Sequence, residues 1–412
     1  MKCYITGMGA ISPMGKSVDE MFDKYLEGYC PIETIDEFKN FYGVKSHIGS
    51  IVKDLDIKSI DRKIRRTSSK MTHMSILAMK EALDQAGLDS DILNSNRSLL
   101  CTGSTTGSPT EYYDSHKKII ENESAKGQKS TSVFKCMSHT NSTNMAISIN
   151  FTGAVLSANS ACASGNQSVV LASQLIKAGI YDVAIVGGCE EAHKTTVSTF
   201  DAAHASSINY NDSPKDSSRP FDKNRDGVVI SEGAGIIILE SEEFAKKRGA
   251  TLLAEVVGGD YSGSGVHMAQ SDTLSITNNI KRTLINTNTN PLEVDFISAH
   301  ATSTRQGDNA ESWGIFNAFE RDVSVHSLKG YTGHTFAASG AIETAMLVKM
   351  MNTNMIIPNH NLSEVDPELP NLNFVNTQSK NRELKTVLNF NSGFGGINSS
   401  FIMKKVGSDE SN

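Results

Sequence analysis

The chain has 412 residues, 38% of them hydrophobic and 21% charged, the proportions of a globular protein of two or three domains or one fused unit. Its formal net charge of −7 speaks against a nucleic-acid binder, which is usually basic. No run approaches the ~18 apolar residues of a membrane helix, and the opening MKCYITGMGAISPMG lacks the apolar stretch of a secretory signal, so a cytoplasmic protein is expected, with no nucleic acid or membrane as partner.

Strand-like and helix-like runs then alternate along the chain. YITGMGA reads as a strand, Cys3 to Thr6, running into a glycine turn. A basic cluster follows in IDRKIRRTSSK, from Ile60 to Lys70. KMTHMSILAMKEALDQAGL has helical periodicity and stops at Gly87. SLLCTGSTTG is a buried strand and a loop, and STTGSPTEYYDS carries Tyr112. VLSANSA is a strand, and SGNQSVVLASQLIKAG is a helix ending at Gly179. DVAIVGG and GAGIIILE are buried strands. Short β runs alternating with helices argue for an α/β fold. The six cysteines, Cys3, Cys30, Cys101, Cys136, Cys162 and Cys189, form no CxxC pair. Zinc and thioredoxin-type readings are therefore weak, and most of the thiols are expected to be small buried hydrophobes.

The chain also repeats itself. CASGNQSVVLASQLIKAG begins at Cys162 and AASGAIETAMLVKMMN begins at Ala337, 175 positions later (337 − 162). Each is a small-Ala-Ser-Gly start to an amphipathic helix, and a Val- and Leu-rich strand follows each: DVAIVGG, then TVLNFNSGFGG. Two similar halves are expected, the second starting near LLAEVVGGDYSGSG at Leu252. Where the first copy has Cys162, the second has Ala337, so packing does not demand a thiol at this place.

A thiol at a helix start feels unpaired backbone N–H groups and the positive end of the helix dipole, which favour the thiolate. Ala161, Ala163, Ser164 and Gly165 leave room for a carbonyl. On the local sequence alone, a reactive thiol and a buried structural one weigh equally. Two histidine segments shift the balance. DFISAHATSTRQGDNAES places His300 after a buried strand, and SLKGYTGHTFAASGAIE places Lys329 and His334 before the second half's helix. Strand ends and helix starts are where α/β folds put their sites. Pseudo-symmetric halves would bring one Cys and two His to one pocket; a metal site is the rival, weakened by the lack of ligand spacing nearby. NFNSGFGGINSS, from Asn389, is a strand and glycine turn able to aim N–H groups at an oxyanion.

These motifs have a family likeness. SACASG around Cys162, RPFDKNRDGVVISEGAG from Arg219, AHATSTRQGD around His300, LKGYTGHTFAASGAIE around Lys329 and His334, and SGFGGIN near the C-terminus lie in one order over nearly the whole chain. In them the chain resembles the elongating β-ketoacyl-[acyl-carrier-protein] synthases, condensing enzymes of the thiolase-like fold. The Cys-His-His set separates these from the initiating Cys-His-Asn type.

The resemblance implies an α/β fold, duplicated and thiolase-like, layered α-β-α-β-α. Residues 1–251 would carry the nucleophile and lid insertions, and 252–412 the catalytic histidines. It implies a homodimer, no cofactor of its own, and substrates delivered on the phosphopantetheine of an acyl carrier protein. Cys162 would take the acyl group as a thioester. His300 and His334 would drive decarboxylation of malonyl-carrier and stabilise the enolate, both as neutral imidazoles donating from Nε2. Lys329 would order the site, with Glu343 in support. Phe394, followed by Gly395, would gate the site, its N–H forming an oxyanion hole with that of Cys162. Arg62, Lys63 and Arg66 would dock the acidic carrier. Tyr112 would close the acyl tunnel and favour short, polar-ended or unsaturated chains. Ala301, Arg305 and Ile397 stand where the family usually has Gly, Pro and Thr, which points to a specialised pathway.

Two other readings are weighed against this one. A non-elongating chain-length partner in a heterodimer would lack the nucleophile, and Cys162 is present. A thiolase needs a second cysteine towards the C-terminus, and none follows Cys189. Fatty-acid and polyketide or polyene elongation are not separated by these motifs.

Overall fold

In this computed structural model, which describes residues 1–377, 379–380 and 382–407, the apolar runs of the first half become five strands. They are β1 (Cys3–Ile11), β2 (Ser98–Gly103), β3 (Ala154–Ser157), β4 (Val183–Glu190) and β5 (Gly233–Ser241). The second half supplies β6 (Ala254–Gly263), β7 (Phe296–Ser298), β8 (Ser324–His326), β9 (Thr386–Gly393) and β10 (Ile397–Lys404). In space the first set lies β3-β2-β4-β5-β1 and the second β8-β7-β9-β10-β6. Adding five to each label turns one order into the other. Directions agree as well: β2 runs parallel to β3 and β4, and β5 antiparallel to β4 and β1. Likewise β7 runs parallel to β8 and β9, and β10 antiparallel to β9 and β6. The two sheets join where β1 pairs with β6 through Tyr4↔Glu255 and Ile5↔Ala254. With the short strand Asn373–Phe374 beside β8, the result is one continuous 11-stranded sheet.

Helices cover and separate the two halves of the sheet. They are α1 (Lys70–Ala86), α2 (Pro109–Asn122), α3 (Ser164–Lys177), α4 (Lys194–Ala202), α5 (Thr273–Asn286), α6 (Arg305–Phe319) and α7 (Ser339–Thr353). The α1 helix covers β1 and β5 on one outside, and α5, backed by α6, covers β6 and β10 on the other. Between them, α3 packs on β4 and β10, and α7 on β5 and β9. This is the expected α-β-α-β-α layering. Nearly every residue of α7 is buried, as its apolar sequence on all faces requires.

The two middle helices meet at the repeated Ser-Gly. A Cβ added to Gly165 would lie 2.7 Å from Ala337 O, and one on Gly340 would lie 2.5 Å from Asn166 N. Only glycine lets the backbones come this close. The same reason corrects the reading of the N-terminus. Gly7 and Gly9 are not a turn; β1 runs straight through them. A Cβ there would lie 2.2 Å from Ala82 O and 1.9 Å from Ala78 O, because α1 crosses β1 at this point. Glycine in a strand marks close approach of another backbone as readily as a turn.

Candidate active site

Cys162 lies on the turn that leads from β3 to α3, two residues ahead of the first helical residue, Ser164. The turn is strained: Ala161 holds φ 48°, and its counterpart Phe336 holds φ 49°. A left-handed non-glycine residue costs about 1–2 kcal/mol, so the fold spends this strain in both halves and places a thiol in only one. Ser164 Oγ braces the turn, accepting the Ser160 N–H at 2.9 Å and donating to Ala161 O at 2.6 Å.

The two histidines come from the second half. His300 follows β7, and its N–H and that of Ala301 are held by Glu311 Oε1 and Oε2 at 2.6 and 2.7 Å. Burial pushes the Glu311 carboxyl up to about 8. The His334 backbone is locked between Val229 O (2.8 Å) and Ser231 N–H (3.0 Å). The imidazole rings stand edge to face with centroids 5.1 Å apart. One nitrogen of each ring and Cys162 Sγ all lie within 4.8 Å of one another. Behind them, Lys329 and Glu343 form a buried ion pair at 2.5 Å. Asn391 Nδ2 donates to Glu343 Oε2 at 2.7 Å, and Asn391 Oδ1 lies 3.1 Å from His300 Nδ1.

The electrostatics keep the three reacting groups neutral. Burial, then the Lys329 cation, holds His300 well below the usual histidine range. Burial, then His300 and Lys329, does the same to His334. Burial also pushes the Cys162 thiol up to about 12; Glu190 adds to this and Lys329 opposes it. The thiolate expected from a helix start is therefore not the resting form. At 5% exposure, desolvation outweighs the helix terminus.

These groups line a cavity of about 980 Å³, together with Phe200, Arg305 and Phe394. Phe394 is half-exposed and stacks on Phe200 with centroids 5.4 Å apart. Gly395 turns the loop with φ 87° and ties it to Met268 O through its N–H at 2.7 Å. Of the residues the sequence suggests, Cys162, His300, His334 and Phe394 line this cavity, Lys329 and Glu343 pair outside its lining, and Gly395 follows Phe394 in the loop. Arg62, Lys63 and Arg66 are exposed on and beside a short helix, Arg62–Arg65, capped by Asp61.

Tyr112 does not belong to this group. It stands 41% exposed on α2, tilted over His116, outside the residues that line the cavity. Its hydroxyphenyl ring points away from the core because position 112 falls on the outer face of α2. The neighbouring Tyr113 faces inward, against Phe41 and His193. Glu311, Phe200 and Asn391 escaped the sequence reading. Only Asn391 carried a signal, as a polar residue inside the apolar run of NFNSGFGG.

The same Cys-His-His set has the donors to hold a metal ion, but its hydrogen bonding suits catalysis better. A metal-bound imidazole donates its other N–H to an acceptor. His334 Nδ1 instead faces a donor, the Phe336 N–H at 3.3 Å.

Comparison with known proteins agrees with this geometry. The family models for the β-ketoacyl synthase N-terminal and C-terminal domains match residues 2–245 and 253–363. The 3-oxoacyl-[acyl-carrier-protein] synthase 1 of Haemophilus influenzae is 32% identical over 98% of this chain and 99% of its own. The crystal structure of a β-ketoacyl synthase from Burkholderia phymatum superposes with a TM-score of 0.94 at 31% identity, covering 98% of this chain and 100% of that one. A type II polyketide ketosynthase, solved with its acyl-carrier protein and bound to a hexaketide, gives 0.90 at 26% identity, covering 98% and 99%.

Proposed function

The chain belongs to the β-ketoacyl synthase family, and from that premise we propose how its own residues carry the reaction. The enzyme is an acyltransferase that forms a C–C bond: it condenses an acyl group with a malonyl group, losing CO2 and lengthening the chain by two carbons. Cys162 takes the acyl group as a thioester, which is both a good electrophile and a good leaving group. His300 and His334 act on the malonyl thioester, where negative charge develops as CO2 departs. Neutral imidazoles suit that task, because an imidazolium would protonate the carbanion. Lys329 and Glu343 order the site from behind. Phe394 gates the cavity, and its N–H with that of Cys162 receives the oxyanion.

The substrates arrive on the phosphopantetheine of an acyl carrier protein, as the names of the relatives and the carrier complex indicate. The enzyme needs no cofactor of its own for this chemistry. Arg62, Lys63 and Arg66 dock the carrier. Residues 1–251 and 252–412 are the two copies of the duplication, divided ahead of β6. A chain-length partner subunit is not favoured, since Cys162 and both histidines are in place. No helix among the described residues is long and apolar enough to cross a membrane, in keeping with action in the cytoplasm.

One observation carries the reading: Cys162 Sγ and a nitrogen of each histidine lie within 4.8 Å of one another beside a cavity. The test is direct. Purified protein given acyl-carrier and malonyl-carrier yields the 3-oxoacyl-carrier and CO2, and Cys162→Ser yields neither product nor an acylated enzyme. Product formation at the wild-type rate by Cys162→Ser refutes the assignment.

A further inference from the structure

A second cleft, of about 500 Å³, adjoins the active-site cavity. Ser271, Asp272, Arg305 and Gln306 line both, so they form the rim between inside and outside. Three of the four are tied into the fold. Gln306 Nε2–H donates to Ser271 O at 2.7 Å, and Gln306 Oε1 accepts the Ser271 N–H at 3.3 Å. Asp272 Oδ2 caps α5 by taking the Ser275 N–H at 2.7 Å. Arg305 is different. It is exposed, and its guanidinium makes one hydrogen bond among the described residues, from Nη2 to Lys223 O at 3.4 Å.

The charges around the cavity leave this guanidinium unanswered. The other arginine of the lining, Arg225, is fully buried and pairs with Asp366 at 2.6 Å and Asp308 at 3.5 Å. The acids of the lining are held by backbone. Asp226 Oδ2 takes the Ile208 and Asn209 N–H groups, and Glu311 takes those of His300 and Ala301. Asp366 feels the Arg305 charge but already holds Arg225 Nη1. Among the described residues, no carboxylate lies within ion-pair distance of Arg305. Nor does the helix start call for a cation, since Arg305 stands at the first position of α6, where the family usually has Pro and proline is well suited.

We propose that Arg305 binds the phosphate of the pantetheine arm and so makes this enzyme select thioesters whose arm is phosphorylated. This rests on the reading above, in which the acyl group reaches Cys162 on phosphopantetheine. The lengths agree. Arg305 follows His300 by five positions, so their Cα atoms stand no more than about 18 Å apart. A nitrogen of His300 lies within 4.8 Å of Cys162 Sγ. An extended arm spans roughly 16 Å from sulfur to phosphorus, at the ~1.2 Å per bond of an extended chain. With its sulfur at Cys162, the arm therefore brings its phosphate to the rim. There a guanidinium offers two parallel N–H donors to two phosphate oxygens, and its charge is not already neutralised by a carboxylate. The phosphate is the phosphodiester of a carrier protein or the first phosphate of coenzyme A, and the chemistry at Arg305 is the same for both.

The test compares two small thioesters that differ in one phosphate. Hexanoyl-phosphopantetheine is expected to acylate wild-type Cys162 with a second-order rate constant about tenfold that of hexanoyl-pantetheine. In Arg305→Gln the ratio is expected to fall to about one, and in Arg305→Lys to an intermediate value. Added salt is expected to lower the wild-type ratio. The ratio is taken within each protein, so general damage by a substitution cancels. Hexanoyl-carrier and hexanoyl-CoA identify the source. Losses with both in Arg305→Gln mean that Arg305 reads the phosphate on either molecule, and a loss with the carrier alone ties it to the carrier's phosphodiester. A wild-type ratio near one, or a ratio unchanged in Arg305→Gln, overturns the proposal. A binding readout needs no turnover: S-methyl-phosphopantetheine is expected to protect Cys162 from iodoacetamide at about tenfold lower concentration than S-methyl-pantetheine. That preference without any condensation product would sink the assigned function and leave the phosphate site standing.

Discussion

Cys162 shows how burial overrides a local signal. The thiol is pushed up to about 12, so the free enzyme holds little thiolate at neutral pH. Alkylation of Cys162 by iodoacetamide, followed by peptide mass, is expected to rise about tenfold per pH unit from pH 7 to 10. A plateau below pH 9 would mean that the helix start wins after all. His326 carries a second residue-scale consequence. It is buried against Phe296 with ring centroids 4.7 Å apart, and its Nδ1–H donates to Ile357 O at 2.9 Å. Burial holds it down to about 3. The folded value is depressed, so below about 6.5 the unfolded chain takes a proton that the folded chain refuses. This residue then removes about 1.4 kcal/mol of stability per pH unit as pH falls. The stability advantage of wild type over His326→Gln is expected to shrink between pH 7 and 5 in urea unfolding. An advantage that is constant across that range contradicts the buried neutral form.

The elements depend on glycines that let backbones touch. Gly9→Ala puts a methyl 1.9 Å from Ala78 O and forces α1 off β1. A loss of at least about 2 kcal/mol is expected in denaturant unfolding. Gly263→Ala is the control, since nothing lies within 4 Å of its added Cβ; its cost is expected to stay near 0.5 kcal/mol. Similar costs at the two positions would show that α1 gives way freely. Helix ends were readable because their chemistry is local: α1 stops at Gly87 with φ 65°, as a left-handed cap requires. The strand through Gly7 and Gly9 was not readable, because its reason lies 69 positions away, in Ala78 against Gly9.

At the scale of the whole molecule, the 11-stranded sheet ends, among the described residues, in two edge strands, Asn373–Phe374 and β3. Of these, β3 exposes Val155 and Leu156 at 40% and 41%, and nearby segments expose Ile120, Val133 and Phe134. An open apolar edge invites pairing with another chain, and a second copy would satisfy it symmetrically. Light scattering is expected to give twice the chain mass, and Val155→Glu with Leu156→Lys to give the monomer. A wild-type monomer would return the edge to solvent. At the same scale, Arg62 and Lys63 stand out as exposed cations on a chain of net charge −7. Reversing both to Glu is expected to raise KM for the carrier several-fold, and salt is expected to weaken wild-type turnover. Salt-independent kinetics in both proteins would make the cluster an ordinary solvated surface.

The amino-acid sequence by itself determined the duplication, the order of the motifs and the cysteine and two histidines that meet at the site. Cys162 against Ala337, and the two histidine loops, mark it because helix starts and strand ends are chemistry of adjacent residues. The tertiary structure alone decided the state of those residues. The thiol's protonation follows from how much water is excluded from Cys162. The hydrogen-bond partner of the His300 ring is Asn391, 91 positions away. The outward face of Tyr112 follows from how α2 lies on its neighbours. Burial and hydrogen-bond partners join residues that are distant along the chain, and local patterning carries no record of which distant group arrives.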